Sequence, residues 1–227
     1  MSYLGSKAAS GAYQNIIALM PPHDTYIEAF LGTGTVLKRK PPAQTDIGID
    51  LCADAMRKFD YPDHAQVFRA DAFEFLRSFD YHAAGRVLIY ADPPYLPETR
   101  TSQARYKKEL TRAQHIELLE LLSSLPANVS VMLSGYPSDL YDESLPAWHK
   151  HIYQVMSRGG VRTEVIWHNF VQNAKHWATY AGKDRSDRQR IGRLAARWAK
   201  NYQNMSEAER LAVMAKLMEV HQVEYIS

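Results

Sequence analysis

Thr25–Gly34 has the sequence TYIEAFLGTG, in which an apolar run from Thr25 to Phe30 leads into two closely spaced glycines. Three further apolar runs along the chain each end on an aspartate, over residues 45–50, 66–71 and 87–92. Short apolar runs that alternate with helical patterns predict βαβ units. We therefore expect a Rossmann-like α/β fold, with a mostly parallel twisted sheet and helices on both faces.

The chain beyond these runs predicts one more helix and the closing strands of the sheet. Thr111 with Gln114 predicts a capping box at the start of the helix, and Pro126 ends it. A buried strand is predicted over 129–133. Two closing strands are predicted over 151–156 and 165–170, with Gly159 and Gly160 as the turn between them.

The last part of the chain has a purely helical pattern and a basic charge. Residues 151–227 hold 12 Lys and Arg against 7 Asp and Glu, whereas residues 1–150 hold 15 against 18. We divide the chain into a domain over 1–180 and a helical hairpin over 181–227, in which Ser206 and Glu209 cap the last helix. The basic stripe from Lys183 to Lys200 is either a phosphate-binding face or a solvated one. Trp198 is expected in the core of this hairpin.

The composition excludes several classes of protein. With 227 residues and 46% hydrophobic residues, the chain can bury a core. Cys52 is the sole cysteine, which excludes a disulfide framework and a cysteine metal site and fits a cytoplasmic setting. The histidines lack ligand-like partners, so no metal is expected. No apolar run approaches the roughly 18 residues of a membrane span, so no membrane association is expected.

Several candidate ligand-binding residues follow the predicted strands. Ligands of open α/β sheets bind beyond the carboxyl ends of the strands, and Gly32 and Gly34 there permit a tight turn and close ligand approach. Asp50 either accepts hydrogen bonds from ribose hydroxyls or caps a helix, and Asp71 either contacts a cofactor's adenine amine or caps the next helix. Together these residues suggest a nucleoside cofactor without identifying it.

The tetrapeptide Asp92-Pro93-Pro94-Tyr95 follows the fourth predicted strand. A carboxylate and a rigidly held carbonyl can accept the N–H bonds of an aromatic amine and so localise its lone pair towards a methyl donor. The prolines fix the backbone, and Tyr95 offers a ring on which an extruded base can stack. The tetrapeptide therefore indicates methylation of an exocyclic base amine; the alternative is a proline-rich turn without chemistry.

Over residues 3–170 the chain resembles Dam-like N6-adenine DNA methyltransferases of the subgroup common in phages and prophages. The similar motifs are Tyr3–Lys7, Phe30–Gly34, Asp92–Tyr95, Ser134–Tyr136 and Arg162–Phe170. The resemblance implies the S-adenosylmethionine-dependent methyltransferase fold, S-adenosylmethionine as cofactor and DNA as partner. It implies catalytic roles for Asp92, Pro93, Pro94, Tyr95 and Lys7. It implies cofactor contacts by Tyr3, Gly5, Lys7, Phe30, Gly32, Gly34, Asp50, Asp71 and Asp92, with Asp50 on the ribose and Asp71 on the adenine ring.

One departure from the family concerns specificity. Dam-type enzymes insert a long helical target-recognition region between the second and third acidic strand ends, but here 20 residues separate Asp50 from Asp71. Recognition of the target sequence must therefore depend on other segments of the chain, or its specificity must be low. One candidate is the region from His151 into the basic tail. The other follows the tetrapeptide and is either a polar surface loop or a DNA contact, through Arg100, Arg105, Tyr106, Lys107 and Lys108.

Other functions remain open at this point. Methylation of the N4 amine of cytosine poses the same chemistry, although an aspartate at position 92 favours adenine. Methylation of RNA or of a protein glutamine amide, and a catalytically inactive DNA-binding protein with a methyltransferase-like shell, are further alternatives. A monomer is expected, with weak dimerisation through the C-terminal helices possible. The target site and the biological role, such as protection from restriction, are not predicted.

Overall fold

The computed structural model of the chain describes residues 7, 11–53, 60–99, 109–157, 160–171 and 185–224. The chain forms two compact units, Met1–Ala178 and Thr179–Ser227. In the first unit, helices and strands alternate along the sequence. In chain order they are α1 (Ala12–Leu19), β1 (Thr25–Ala29), β2 (Thr45–Ile49), β3 (Ala65–Phe68), α2 (Ala72–Ser78), β4 (Val87–Ala91), α3 (Arg112–Ser123), β5 (Val129–Gly135), α4 (Asp139–Ser144), β6 (His149–Ser157) and β7 (Gly160–His168).

The strands of the first unit form a seven-stranded sheet in the order β3-β2-β1-β4-β5-β7-β6. The pairs from β3 to β5 are parallel, and β7 is antiparallel to both of its neighbours. Every residue of β1 and β4 is buried, as expected for central strands that are covered on both faces. The predicted fold class, a mostly parallel α/β sheet, is confirmed.

Helices pack against this sheet through their apolar faces. Leu76 of α2 and Leu118 of α3 belong to a buried cluster with Ile27 and Ile89 of the central strands. The predicted start of α3 is confirmed, because the Thr111 hydroxyl accepts the Gln114 N–H while the Gln114 side chain accepts the Thr111 N–H. These contacts satisfy backbone donors that the first helical turn leaves unpaired.

The predicted extents of two parts of the sheet were wrong. The third strand ends at Phe68 rather than at Asp71, because Asp71 is committed to the start of α2 as its N-cap. The closing strands are longer than expected, over 149–157 and 160–168. Their hairpin pairing extends the ladder to residues whose own sequence does not predict a strand. Part of the predicted glycine turn, Gly159, lies outside the described residues.

In the second unit, helices α5 (Arg185–Gln203) and α6 (Glu207–Glu224) follow each other closely. The predicted cap of α6 is confirmed: the Ser206 N–H donates to Glu209 Oε2 at 2.7 Å, and the Glu209 N–H donates to Ser206 Oγ at 3.4 Å. The expected core position of Trp198 is wrong, because this side chain is 61% exposed. Most of the described side chains of α5 are exposed, so an apolar side chain at helical spacing here has no core to enter.

Candidate active site

The candidate site lies where the strand order of the sheet reverses, between β1 and β4. The chain proceeds from β1 to β2 on one side and from β4 to β5 on the other. Such a switch point opens a crevice beyond the carboxyl ends of the two strands, where ligands of open α/β sheets bind. The Asp92 N–H donates to the Ala29 carbonyl at 3.3 Å. The predicted glycine turn and the predicted catalytic tetrapeptide therefore leave the sheet side by side.

The turn after β1 has an unusual backbone. Phe30, Gly32 and Gly34 have φ angles of 63°, 52° and 60°, in the left-handed region. Glycine adopts this region easily, but a phenylalanine there stores about 1–3 kcal/mol of strain, and such strain clusters at functional sites. Tyr61 packs beneath the turn: its hydroxyl donates to the Gly32 carbonyl at 2.8 Å, and a Cβ on Gly34 would lie 2.8 Å from its ring.

Asp50 connects this turn to the end of β2. Its Oδ2 accepts the Gly32 N–H at 2.6 Å, and its Oδ1 accepts the Cys52 N–H at 2.6 Å. Each carboxylate oxygen has two acceptor positions. Asp50 therefore still has acceptor positions for the hydrogen bond of a ribose hydroxyl. The carboxylate thus holds the glycine turn in shape whether or not it also binds a ligand.

Asp71 has a structural role at the start of α2. Its Oδ1 accepts the N–H groups of Phe73 and Glu74, at 2.8 and 3.2 Å. This is the N-cap arrangement, one of the two roles that its position predicted. The adenine contact is the other role and stays a prediction.

Lys7 joins the tetrapeptide through two short contacts. Its Nζ lies 2.7 Å from Asp92 Oδ1 and donates to the Tyr95 hydroxyl at 2.5 Å. The ammonium also lies over the Tyr95 ring, 4.8 Å from the centroid. This ring and that of Tyr136 form a T-shaped pair, with the ring centroids 4.6 Å apart. Predicted catalytic residues from the N-terminal segment and from the end of β4 are therefore brought together in one buried cluster.

Burial and charge act against each other in this cluster. Burial alone would lower the pKa of the Lys7 ammonium, but the carboxylates of Asp92 and Glu164 more than offset this effect and hold its pKa well above the ordinary value. Burial raises the pKa of the Asp92 carboxyl, and Lys7 offsets part of that rise. Asp92 is therefore a more basic acceptor than an exposed aspartate.

Glu164 and Tyr153 belong to the same cluster, although sequence reasoning did not single them out. Glu164 Oε2 accepts the Tyr153 hydroxyl at 3.0 Å and the Tyr95 hydroxyl at 3.4 Å, and it lies 3.7 Å from Lys7 Nζ. Tyr153 on β6 and Glu164 on β7 are direct cross-strand partners. The signal in the sequence is an acid directly before the apolar run Val165–Trp167. The face of the sheet on which Glu164 lies depends on the register of the hairpin.

Glu28 is a second acid that the sequence reasoning did not single out. It lies on β1 and is buried, and its Oε2 accepts the Leu37 N–H at 2.7 Å and the Tyr26 hydroxyl at 2.9 Å. Burial raises the pKa of the Glu28 carboxyl to about 8, although these hydrogen bonds act in the opposite direction. Through Leu37, Glu28 fixes the segment that follows the glycine turn.

Several predicted site residues lie outside the described part of the chain. They are Tyr3 and Gly5 of the cofactor set and Arg100, Arg105, Tyr106, Lys107 and Lys108 of the DNA-binding set.

Within the described ranges, no group of three or more His, Cys, Asp or Glu side chains is arranged to hold a metal ion. No helix in those ranges is long and apolar enough to cross a membrane.

No protein-family model and no curated protein sequence matches the chain. Its fold is similar to that of the N-methyltransferase NodS of Bradyrhizobium japonicum, at 11% identity and a TM-score of 0.45 over 69% of this chain and 92% of that one. It is also similar to an S-adenosylmethionine-dependent methyltransferase of Agrobacterium tumefaciens, at 10% identity and a TM-score of 0.44 over 70% and 60% of the two chains. A third similar fold is that of the 23S rRNA methyltransferase ErmE, at 12% identity and a TM-score of 0.41 over 82% of this chain and 75% of that one.

Identities and TM-scores this low describe a likeness of overall fold. The fold assignment rests on the strand order and the antiparallel β7 of the chain's own sheet. This strand order defines a Rossmann-like α/β fold.

Proposed function

We propose that the chain transfers a methyl group from S-adenosylmethionine to the exocyclic N6 amine of an adenine flipped out of duplex DNA. The observation that carries this proposal is the place of the tetrapeptide. Asp92 to Tyr95 leaves β4 at the switch point of the sheet, beside the strained glycine turn of β1, with the partly buried Asp92 carboxylate against Lys7. A carboxylate and a proline-fixed backbone at a ligand-binding edge suit recognition of a base amine.

The residues around the glycine turn fit a nucleoside cofactor. Asp50 presents a carboxylate at the end of β2, directly beside the Gly32 amide, which suits a ribose diol. We assign cofactor binding to this turn and to Asp50, with Asp71 at the adenine ring. S-Adenosylmethionine, when bound, supplies an activated methyl group on a sulfonium.

Asp92 and Tyr95 carry the chemistry in this proposal. The Asp92 carboxylate and the Pro93 carbonyl accept the two N6 hydrogens, which localises the nitrogen lone pair for attack. In the transfer the nitrogen would form a bond to the methyl group while the methyl–sulfur bond breaks and its electron pair stays on sulfur, which leaves as a neutral thioether. The nitrogen would then lose one proton, for which Asp92 is the acceptor because burial raises the pKa of its carboxyl. Tyr95 stacks on the base, and stacking offsets part of the few kcal/mol that extruding the base costs. Positioning of the amine supplies the remainder of the rate enhancement.

The proposed DNA contacts come from two places. The basic segment after the tetrapeptide is one, and the basic helix α5 is the other. From Arg185 to Gln203, α5 holds six Lys and Arg against one acid. Basic side chains of this kind neutralise backbone phosphates without reading sequence.

Product analysis tests the proposal directly. Purified protein is incubated with unmethylated duplex DNA and S-adenosylmethionine labelled in the methyl group, and the DNA is digested to nucleosides. We expect N6-methyladenine. Asp92→Asn should lower its rate by at least about 100-fold, as expected for loss of a general base, whereas the exposed Asp63→Asn should not.

Other products would redirect the proposal. Detection of N4-methylcytosine would show that the substrate base is cytosine rather than adenine. Failure to bind S-adenosylmethionine in isothermal titration would support the inactive DNA-binding protein instead. Full activity of Asp92→Asn would refute the assigned mechanism.

A further inference from the structure

Glu164 is a buried carboxylate that the proposed chemistry does not use. It is 8% exposed, and its Oε2 accepts the hydroxyls of Tyr153 and Tyr95 at 3.0 and 3.4 Å. The antiparallel pairing of β6 with β7 places Tyr153 directly opposite Glu164. A buried carboxylate is costly unless it is paired with a cation and hydrogen-bonded. Its position therefore calls for a cation within reach.

The cation within reach is the Lys7 ammonium, which faces two carboxylates at unequal distances. Its Nζ is 2.7 Å from Asp92 Oδ1 and 3.7 Å from Glu164 Oε2, a difference of 1.0 Å. The shorter contact is a hydrogen bond, whereas the longer one is an ion pair beyond hydrogen-bond distance. An ammonium has three donors, so a small shift of Nζ exchanges its nearer partner.

Lys7 makes its contacts on the groups that the proposed reaction needs. The Asp92 carboxylate is the acceptor for the base amine, and the Tyr95 ring, with Nζ 4.8 Å from its centroid, is the stacking surface. An amine that donates to Asp92 Oδ1 competes with the ammonium for acceptor positions on that oxygen. A lysine that left Asp92 without another carboxylate would be a buried, unpaired charge, which is strongly unfavourable.

We propose that Glu164 is a positioning residue that receives the Lys7 ammonium when Asp92 binds the amine of the target base. The identity of the amine rests on the proposed function. The exchange of Lys7 between the two carboxylates does not depend on it. Glu164 keeps the lysine charged and close, while Asp92 becomes available to the base.

A stability measurement without substrate tests the exchange. In the native background Lys7 is held by Asp92, so Glu164→Gln should change Tm by about 2 °C or less. In the Asp92→Asn background Glu164 is the remaining carboxylate, so the same substitution should lower Tm by about 4 °C more. Equal losses in the two backgrounds would overturn the proposal. A double variant that fails to fold, while each single variant folds, would support it. In a Lys7→Met background the extra loss should vanish.

Kinetics then test the role in catalysis. Glu164→Gln should keep the affinity for S-adenosylmethionine within about twofold and lower kcat for adenine methylation about tenfold, less than the roughly 100-fold that a 1 Å misplacement of a reacting group can cost. Glu164→Asp should restore part of kcat, whereas the exposed Glu120→Gln should match the native protein. An unchanged kcat in Glu164→Gln would overturn the positioning role. If the native protein methylates no adenine, the proposed function fails, and the stability measurement still decides whether Glu164 can hold Lys7.

Discussion

Glu28 offers a sharp test of the electrostatics beneath the glycine turn. Its buried carboxyl accepts the Leu37 N–H and the Tyr26 hydroxyl, directly before the turn of β1. Glu28→Gln preserves the size of the side chain and an acceptor oxygen but cannot ionise. The substitution therefore isolates the cost of carrying a charge at this position.

The magnitude follows from the pKa of the Glu28 carboxyl. Burial raises it from an ordinary 4.5 to about 8 in the folded chain. The folded state therefore binds the proton more tightly than the unfolded state. The resulting stability is fully present below pH 4.5 and is lost as the pH rises through 8. At 1.36 kcal/mol per pKa unit, the loss amounts to about 5 kcal/mol.

Urea denaturation of the native chain and of Glu28→Gln, at intervals from pH 5 to pH 9, measures this effect. At pH 5 the two free energies of unfolding should be similar. At pH 9 the variant should be more stable, by an amount approaching about 5 kcal/mol. Other titrating groups are common to both chains and cancel in the difference. The exposed Glu120→Gln on α3 is the matched control for replacing a glutamate by glutamine. A difference between Glu28→Gln and the native chain that stays constant across this range would refute the reasoning.

Two further variants test the cofactor turn and the basic helix. Gly34→Ala forces a left-handed φ of 60° on alanine and brings its Cβ to 2.8 Å from the Tyr61 ring. The affinity for S-adenosylmethionine, measured by isothermal titration, should therefore fall at least tenfold. An unchanged affinity would argue against this turn as the cofactor site. Arg193→Gln with Arg197→Gln on α5 should reduce the salt dependence of duplex binding, measured by fluorescence anisotropy, by about 1.8 in the slope of log K against log salt concentration. Arg210→Gln with Lys216→Gln on α6 removes the same charge and should change the slope little; equal changes would show that α5 has no special role.

The sequence was sufficient to locate the strands along the chain and the residues that follow them, although the extents of the third strand and of the closing strands were predicted wrongly. Buried strands have continuous apolar runs, and the residues after them face the ligand edge of a parallel sheet. Gly32, Asp50 and Asp92 could therefore be assigned to one edge before any contact was known. The bond between Asp50 and the Gly32 amide could not, because it depends on how two neighbouring strand ends meet.

The other contributions to the candidate site depend on tertiary geometry. Glu164 faces Lys7 only in the observed register of β6 and β7, and a slip of one residue would turn it to the opposite face. The raised pKa of Glu28 depends on the packing around it rather than on its neighbours in sequence. The exposure of Trp198 could not be predicted from the sequence either. Helical spacing predicts which side chains share a face of the helix, but not whether another element covers that face.

The contacts of Lys7 also determine when the candidate site forms. Lys7 and Asp92 are 85 positions apart, and Tyr95 and Glu164 are 69 apart. Contacts that close such long loops carry a larger loop-closure entropy cost than local helices and hairpins do. During synthesis, at about 5–20 residues per second, the cluster remains incomplete for several seconds after β4 has left the ribosome, until β7 has followed. A nascent chain therefore carries a nearly finished sheet before it carries a complete active site.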